Sequence, residues 1–252
     1  VKQVPFQYSV EAVPVLAAGE RRSLNIKTQA DSYFVCRSII GTYQRNTKVS
    51  VSDDASGRNW CSDPDGVREG SLLGTAQRPY WLTEPVVVPP TSTLILQLIN
   101  LDPALTNAVQ VVFDGYKHFD LTKPPLPEQA SGAGGQRRRW FQYVLNKTLD
   151  ANNRETDQIK IQADSFFVAQ EILAVSTGRF KVKVQDSGSG RNWSDTFIHD
   201  PNYFGTAQYP KRLQPPTRLN PTSTVQIELE DESGATNDVQ LVLSGYKQFV
   251  NS

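Results

Sequence analysis

The chain contains no methionine, two cysteines and two histidines among its 252 residues. Each scarcity excludes something. Cys36 and Cys61 both lie in the first half, and a secreted disulfide scaffold would carry more cysteines and repeat them. They read as free thiols, with a bridge between them as the alternative, since the sequence does not place their Cα atoms. His118 and His199 stand alone, without the spacing of a metal site. No run of about 18 apolar residues is present, so no helix is expected to cross a membrane. Val1–Val10 lacks a signal-peptide core. Charge of one sign is also missing: 26 basic and 26 acidic side chains cancel. Duplex binding normally needs a basic surplus, so nucleic acid is not the expected partner.

Catalytic signatures are absent too. There is no H-E-x-x-H, no G-x-S-x-G and no P-loop. There are two acidic clusters, Asp53-Asp54 and "ELEDE" at Glu228–Glu232; the first could in principle be a calcium-binding turn, but it has no EF-hand spacing and reads as a solvated turn. Nothing picks out a carboxylate pair for glycoside hydrolysis. The expectation is a chain that is not an enzyme, with no catalytic residues, no metal and no cofactor.

What is present is repetition. "SGRNW" occurs at Ser56–Trp60 and again at Ser189–Trp193. Gln29-Ala30-Asp31-Ser32 returns as Gln162-Ala163-Asp164-Ser165, and Gly74-Thr75-Ala76-Gln77 as Gly205-Thr206-Ala207-Gln208. Pro90-Thr91-Ser92-Thr93 returns as Pro221-Thr222-Ser223-Thr224, and Gly115-Tyr116-Lys117 as Gly245-Tyr246-Lys247. The order is the same in both halves, which marks a tandem duplication of one whole domain. The expected division is 1–119, a linker at 120–139, and 140–252. The linker, Asp120–Arg139, starts Pro-rich and ends Gly-rich. As a flexible coil it would span about 25 Å.

Each copy reads as β. "STVQIELE" alternates Val225, Ile227 and Leu229 with polar residues, and "NDVQLVLSGYK" alternates Val239, Leu241 and Leu243. Such a period of two marks half-buried strands. Clusters of Asp, Asn, Gly and Pro punctuate them. Seven or eight short strands in each copy imply a sandwich, and the long irregular stretch from Ser56 to Pro90 favours jelly-roll connectivity. The expected fold is all-β, two tandem jelly-roll-like β-sandwiches. Val112 and Val242 are apolar residues on otherwise polar strand faces, suited to partner contacts or to packing between the domains.

The repeated pentapeptide has two readings. In one, Trp60 and Trp193 plug an end of each sandwich, stacked by Arg58 and Arg191. In the other, these Trp–Arg pairs face solvent and anchor a partner, since such residues dominate interface hot spots. Tyr80, Trp81, Tyr203 and Tyr209, in loops that differ between the copies, are further candidate contacts. Arg137, Arg138 and Arg139 close the linker and form a candidate interaction arm.

The cadence "SGRNW", "GTAQRPYWLTEPVVVPPTSTLILQLIN", "NAVQVVFDGYKHF", with its counterpart in the second copy, resembles the jelly-roll accessory proteins of tailed-bacteriophage virions, of the capsid cement or decoration type. The resemblance implies a structural, virion-located protein that binds the major capsid protein or other virion subunits, associates with its own copies, and carries no catalytic residues. The duplication departs from the single copy many such proteins carry. Two other readings remain beside it: a receptor- or carbohydrate-binding module of a phage neck, tail or head fibre, and a glycan hydrolase built on the sandwich.

Overall fold

In the computed structural model, residues 2–44, 46–125 and 138–249 are described. The first copy forms β1 (Gln3–Glu11), β2 (Arg21–Lys27), β3 (Tyr33–Tyr43), β4 (Thr47–Asp53), β5 (Arg58–Asn59), β6 (Val67–Arg68), β7 (Tyr80–Val88), β8 (Thr93–Asn100) and β9 (Val109–His118). The second forms β10 (Arg138–Leu149), β11 (Arg154–Lys160), β12 (Phe166–Ser176), β13 (Phe180–Asp186), β14 (Arg191–Asn192), β15 (Ile198–His199), β16 (Lys211–Leu219), β17 (Thr224–Asp231) and β18 (Asn237–Gln248).

One sheet of the first sandwich runs β1-β9-β3-β7, and its match in the second runs β10-β18-β12-β16. The opposite sheets run β2-β8-β4-β5 and β11-β17-β13-β14, with β6 and β15 also paired to β4 and β13. Successive long strands alternate between the two sheets, so the chain crosses the core at nearly every connection. This is jelly-roll connectivity, and the expected double β-sandwich is what the chain forms. The inward residues are those the alternation marked: Leu94, Leu96 and Leu98 on β8 and Val225, Ile227 and Leu229 on β17 are buried.

The recurring phrases are fold elements. β3 bulges between Cys36 and Ser38, and β12 between Ala169 and Glu171, each opposite the Gly of Gly-Tyr-Lys. A Cβ on Gly115 or Gly245 would sit 1.9 Å from the carbonyl oxygen of Val35 or Val168. Only glycine lets the bulged strand come so close. The following lysines, Lys117 and Lys247, are buried, lie over Phe6 and Phe141, and donate to Gln29 with Asp31 and to Gln162 with Asp164. The pentapeptide completes a hairpin. Asp53 accepts from the Ser56 N–H at 2.7 Å and Asp186 from the Gly188 N–H at 3.0 Å, while Gly57 and Gly190 take φ of +62° and +68°. The Trp N–H then bonds back to the preceding long strand, Trp60 to Val51 and Trp193 to Val184.

One boundary needs correction. β10 begins at Arg138, which pairs with Gln248, while Arg139 pairs with Lys247. Arg138 and Arg139 are therefore strand residues rather than the end of a linker arm. Arg137 lies outside the described residues.

Candidate functional site: the seam between the sandwiches

The two sandwiches are in direct contact. The outer face of the sheet β10-β18-β12-β16 is covered by the loop end of the first sandwich. Along β10 the side chains alternate: Phe141, Tyr143 and Leu145 enter the second core, whereas Trp140 joins the first. Leu173, Ala207 and Val242 also belong to the first core, with Val144 packed against it. Trp60 lies edge-on to both Phe113 and Trp140, and Tyr80 lies edge-on to Trp140. The hydrophobic core of the first sandwich thus continues across the seam.

Backbone groups cross as well. The Gln142 N–H donates to the Trp60 carbonyl at 3.1 Å and the Ser62 N–H to the Gln142 carbonyl at 2.9 Å, a parallel bridge at the seam. The Ala207 N–H donates to the Gly70 carbonyl at 2.8 Å, and the Val144 N–H to Ser62 Oγ at 2.9 Å. Arg68 N–H donates to Gln240 Oε1 at 2.6 Å. Burying these groups without partners would cost several kcal/mol in total, at about 1–3 kcal/mol each. Their pairing fixes one orientation of the two domains.

Charge is embedded in the same surface. Arg139 pairs with Asp53 at 3.1 Å, and Arg138 with Glu84 at 3.5 Å. The Tyr80 hydroxyl sits 2.7 Å from Ser244 Oγ and donates to Glu171 at 3.4 Å. Burial raises the Glu171 carboxyl to about 7, against the smaller opposing pull of Arg212 and the tyrosine. Burial also raises Glu84, with Arg138 opposing, and Glu69, with the Thr47 N–H opposing.

The candidate residues divide sharply. Trp60 and Tyr80 are buried within the chain and do not face solvent. Arg58 lies over Phe249 at 5.4 Å rather than over Trp60, so the expected Arg–Trp stack is replaced by a contact across the seam. Trp193 is half-buried against the second core, and Arg191 is exposed. Tyr203 is buried beside Phe204. Trp81 and Tyr209 remain exposed, at 55% and 58%, and Arg78 lies over the Tyr209 ring at 4.1 Å. Sequence reasoning missed Trp140, Gln142 and Glu171. For Trp140 and Glu171 the signal was a difference between the copies, where Pro5 and Ser38 hold the matching positions; Gln142 matches Gln7 and carried no such signal.

Among the described residues no cluster of His, Cys, Asp and Glu is arranged to hold a metal, and no helix is long and apolar enough to cross a membrane.

No protein family matches the chain, and no curated protein does. Among solved structures, the major capsid protein of bacteriophage PM2 is similar at 12% identity and a TM-score of 0.46, over 98% of this chain and 99% of that one. A turret protein of Sulfolobus turreted icosahedral virus is similar at 10% identity and a TM-score of 0.23, over 99% and 100%. A tandem CBM22 domain of Paenibacillus barcinonensis Xyn10C follows at 9% identity and a TM-score of 0.19, over 99% and 93%. These likenesses are loose, and no functional conclusion rests on them.

Proposed function

We propose that this chain is a non-enzymatic structural protein of a virus particle, docking on the capsid as a cement or decoration protein and binding its own copies or neighbouring shell subunits. One comparison between the two copies carries this reading. In the second sandwich, Val144, Val242 and Leu173 form a row across three strands, and that row is packed into the first core. The matching row in the first sandwich is Ser9, Val112 and Ile40. There Ser9 is exposed, while Val112 and Ile40 are half-buried.

The seam is therefore head-to-tail: the loop end of one jelly roll covers the sheet face of the next. A head-to-tail contact leaves one sheet face and one loop end over, and repeating it between chains builds rings or extended arrays. The free face is that of Ser9, Val112 and Ile40. The free loop end is that around Trp193, with Arg191 exposed in the same turn. A shell of repeated subunits offers such a chain many equivalent places to dock, and two linked domains gain from bivalency there.

The test is copy number together with assembly state. Particles are purified on a density gradient and this chain is quantified against the most abundant subunit. A ratio near one, or a simple fraction of it, is expected. The purified chain should also assemble in light scattering and lose that assembly in Val112→Glu. Absence from particles would overturn the reading.

A receptor- or carbohydrate-binding role is favoured by one observation. The exposed Trp81 lines a groove of about 410 Å³ between the domains, with Gln170, Glu171, Arg212 and Gln214. Glycan-array binding that is lost in Trp81→Ala would select it over the structural reading.

A further inference from the structure

We propose that a cleft at the rim of the seam, between Arg58 of the first sandwich and Arg139 and Lys247 of the second, is a binding site for a small oxyanion, a phosphate or a carboxylate. The cleft encloses about 300 Å³, at the lower end of the range for small-ligand sites. Its lining contains those three cations and a single carboxylate, Asp164. Phe141 and Phe249 supply apolar wall, and Asn59 and Ser62 add neutral polar groups that can donate.

The cleft is specific to one copy of the repeat. Lys247 with Gln162, Asp164 and Phe141 is a structural set, because Lys117 with Gln29, Asp31 and Phe6 repeats it in the first sandwich. Only the second set has two arginines beside it: Arg139, on β10 where the first copy has Val4, and Arg58, brought by the seam. Arg58 is the arginine of the first pentapeptide, held over the Phe249 ring. Arg139 bonds Asp53 at 3.1 Å and brings a second guanidinium fork to the wall of the cleft.

The electrostatics point the same way. The Lys247 ammonium is lowered below its ordinary value, first by burial, against the pull of Asp164, and further by the charges of Arg58 and Arg139. Like charges gathered in a concave, partly desolvated site attract a counter-charge strongly. Arginine's planar fork matches a carboxylate or phosphate bidentately. An oxyanion seated there would touch both domains and strengthen the seam.

The experiment follows thermal unfolding of the intact chain while phosphate or succinate is titrated at constant ionic strength. A saturating rise in Tm is expected, as for any ligand that binds only the folded state. Arg58→Gln should weaken the apparent affinity at least about tenfold, the loss of a charge-assisted hydrogen bond. Arg191→Gln changes the same pentapeptide in the other copy and should leave the response intact. Saturation by phosphate alone assigns a phosphoryl-bearing ligand, and by succinate alone a carboxylate. Broadening of the phosphate ³¹P resonance by wild type and not by Arg58→Gln would confirm direct contact. No rise with either anion, or a rise that never saturates and is equal in all three proteins, would overturn the proposal.

Discussion

Trp60 stands edge-on to Trp140 across the seam, with ring centroids 6.1 Å apart and planes inclined by 86°. Trp60 is the residue of the repeated pentapeptide, and Trp140 fills the place that Pro5 holds in the first copy. Both rings are almost fully buried, at 2% and 1% exposure. An edge-to-face pair of this kind contributes about 0.5–1.5 kcal/mol beyond its burial.

Removal of either ring should therefore open the seam. Trp140→Ala is expected to cost about 3–5 kcal/mol, the range for deleting a large buried aromatic. Trp193→Ala removes the same residue type at a half-buried site and should cost distinctly less. Urea unfolding followed by circular dichroism measures both. Equal costs would mean that Trp193, too, lies in a continuous core.

The two close glycines make a second expectation. Gly115→Ala and Gly245→Ala each drive a Cβ into a backbone carbonyl of the neighbouring strand, an atom that cannot swing aside. Gly190, by contrast, has a positive φ and nothing within 4 Å of an added Cβ. Gly190→Ala should then lose only the modest backbone penalty of a left-handed alanine, about 1 kcal/mol. The close pair should lose several times that, read as a fall in Tm or in soluble yield. Losses at Gly115 and Gly245 no larger than at Gly190 would mean that the close strand approach carries no penalty of its own.

Much of the fold was legible because period-two strands and repeated turn phrases are local signals. The Leu94–Leu98 and Val225–Leu229 alternations name their own buried face, and the phrases repeat because each builds the same bulge or hairpin twice. The seam was not legible for a different reason. Gln142 and Glu171 sit on the face that alternation assigns to solvent, and only a second domain lying over that face buries them. Trp140 stands at the start of its strand, where it read as the edge of a linker. A clue lay in β18, where Val242 and Tyr246 interrupt the polar alternation, but a one-dimensional pattern cannot say what covers them.

The two thiols should be inert in the folded chain. Cys36 is fully buried, and burial followed by the nearby Asp114 charge pushes its thiol far up. Cys61 is 5% exposed, and burial together with Asp63 pushes it up to about 12. The thiolate is the reacting species, so neither should react with an aromatic disulfide reagent at pH 8. Both should react at once in 8 M urea or guanidinium. Rapid labelling of one thiol in the native chain would locate a local opening, at the seam in the case of Cys61.

Acidification should strengthen the seam through Glu171. Its carboxyl is 3% exposed and titrates near 7 in the folded chain, against an ordinary value of 4.5. A carboxyl raised by folding favours the protonated native state. Its stabilising contribution is complete below about pH 4.5 and is lost as pH rises through 7, at roughly 1.4 kcal/mol per pH unit across that window. Arg212, whose Nε lies 3.8 Å away, is 74% exposed and screens the charge only weakly. Glu84 and Glu69 shift in the same direction, while carboxyls such as Asp231, held down to about 2, act with the opposite sign, so the pH dependence of the whole chain is a sum over many groups. Glu171→Gln isolates one of them, because the amide copies the shape of the neutral acid. The variant should match wild type near pH 4 and exceed it in Tm at pH 8, with the gap opening between. If the two melting curves instead stay parallel from pH 5 to 8, Glu171 is ionised within the seam throughout, and Arg212 or water reaches it more closely than its burial allows.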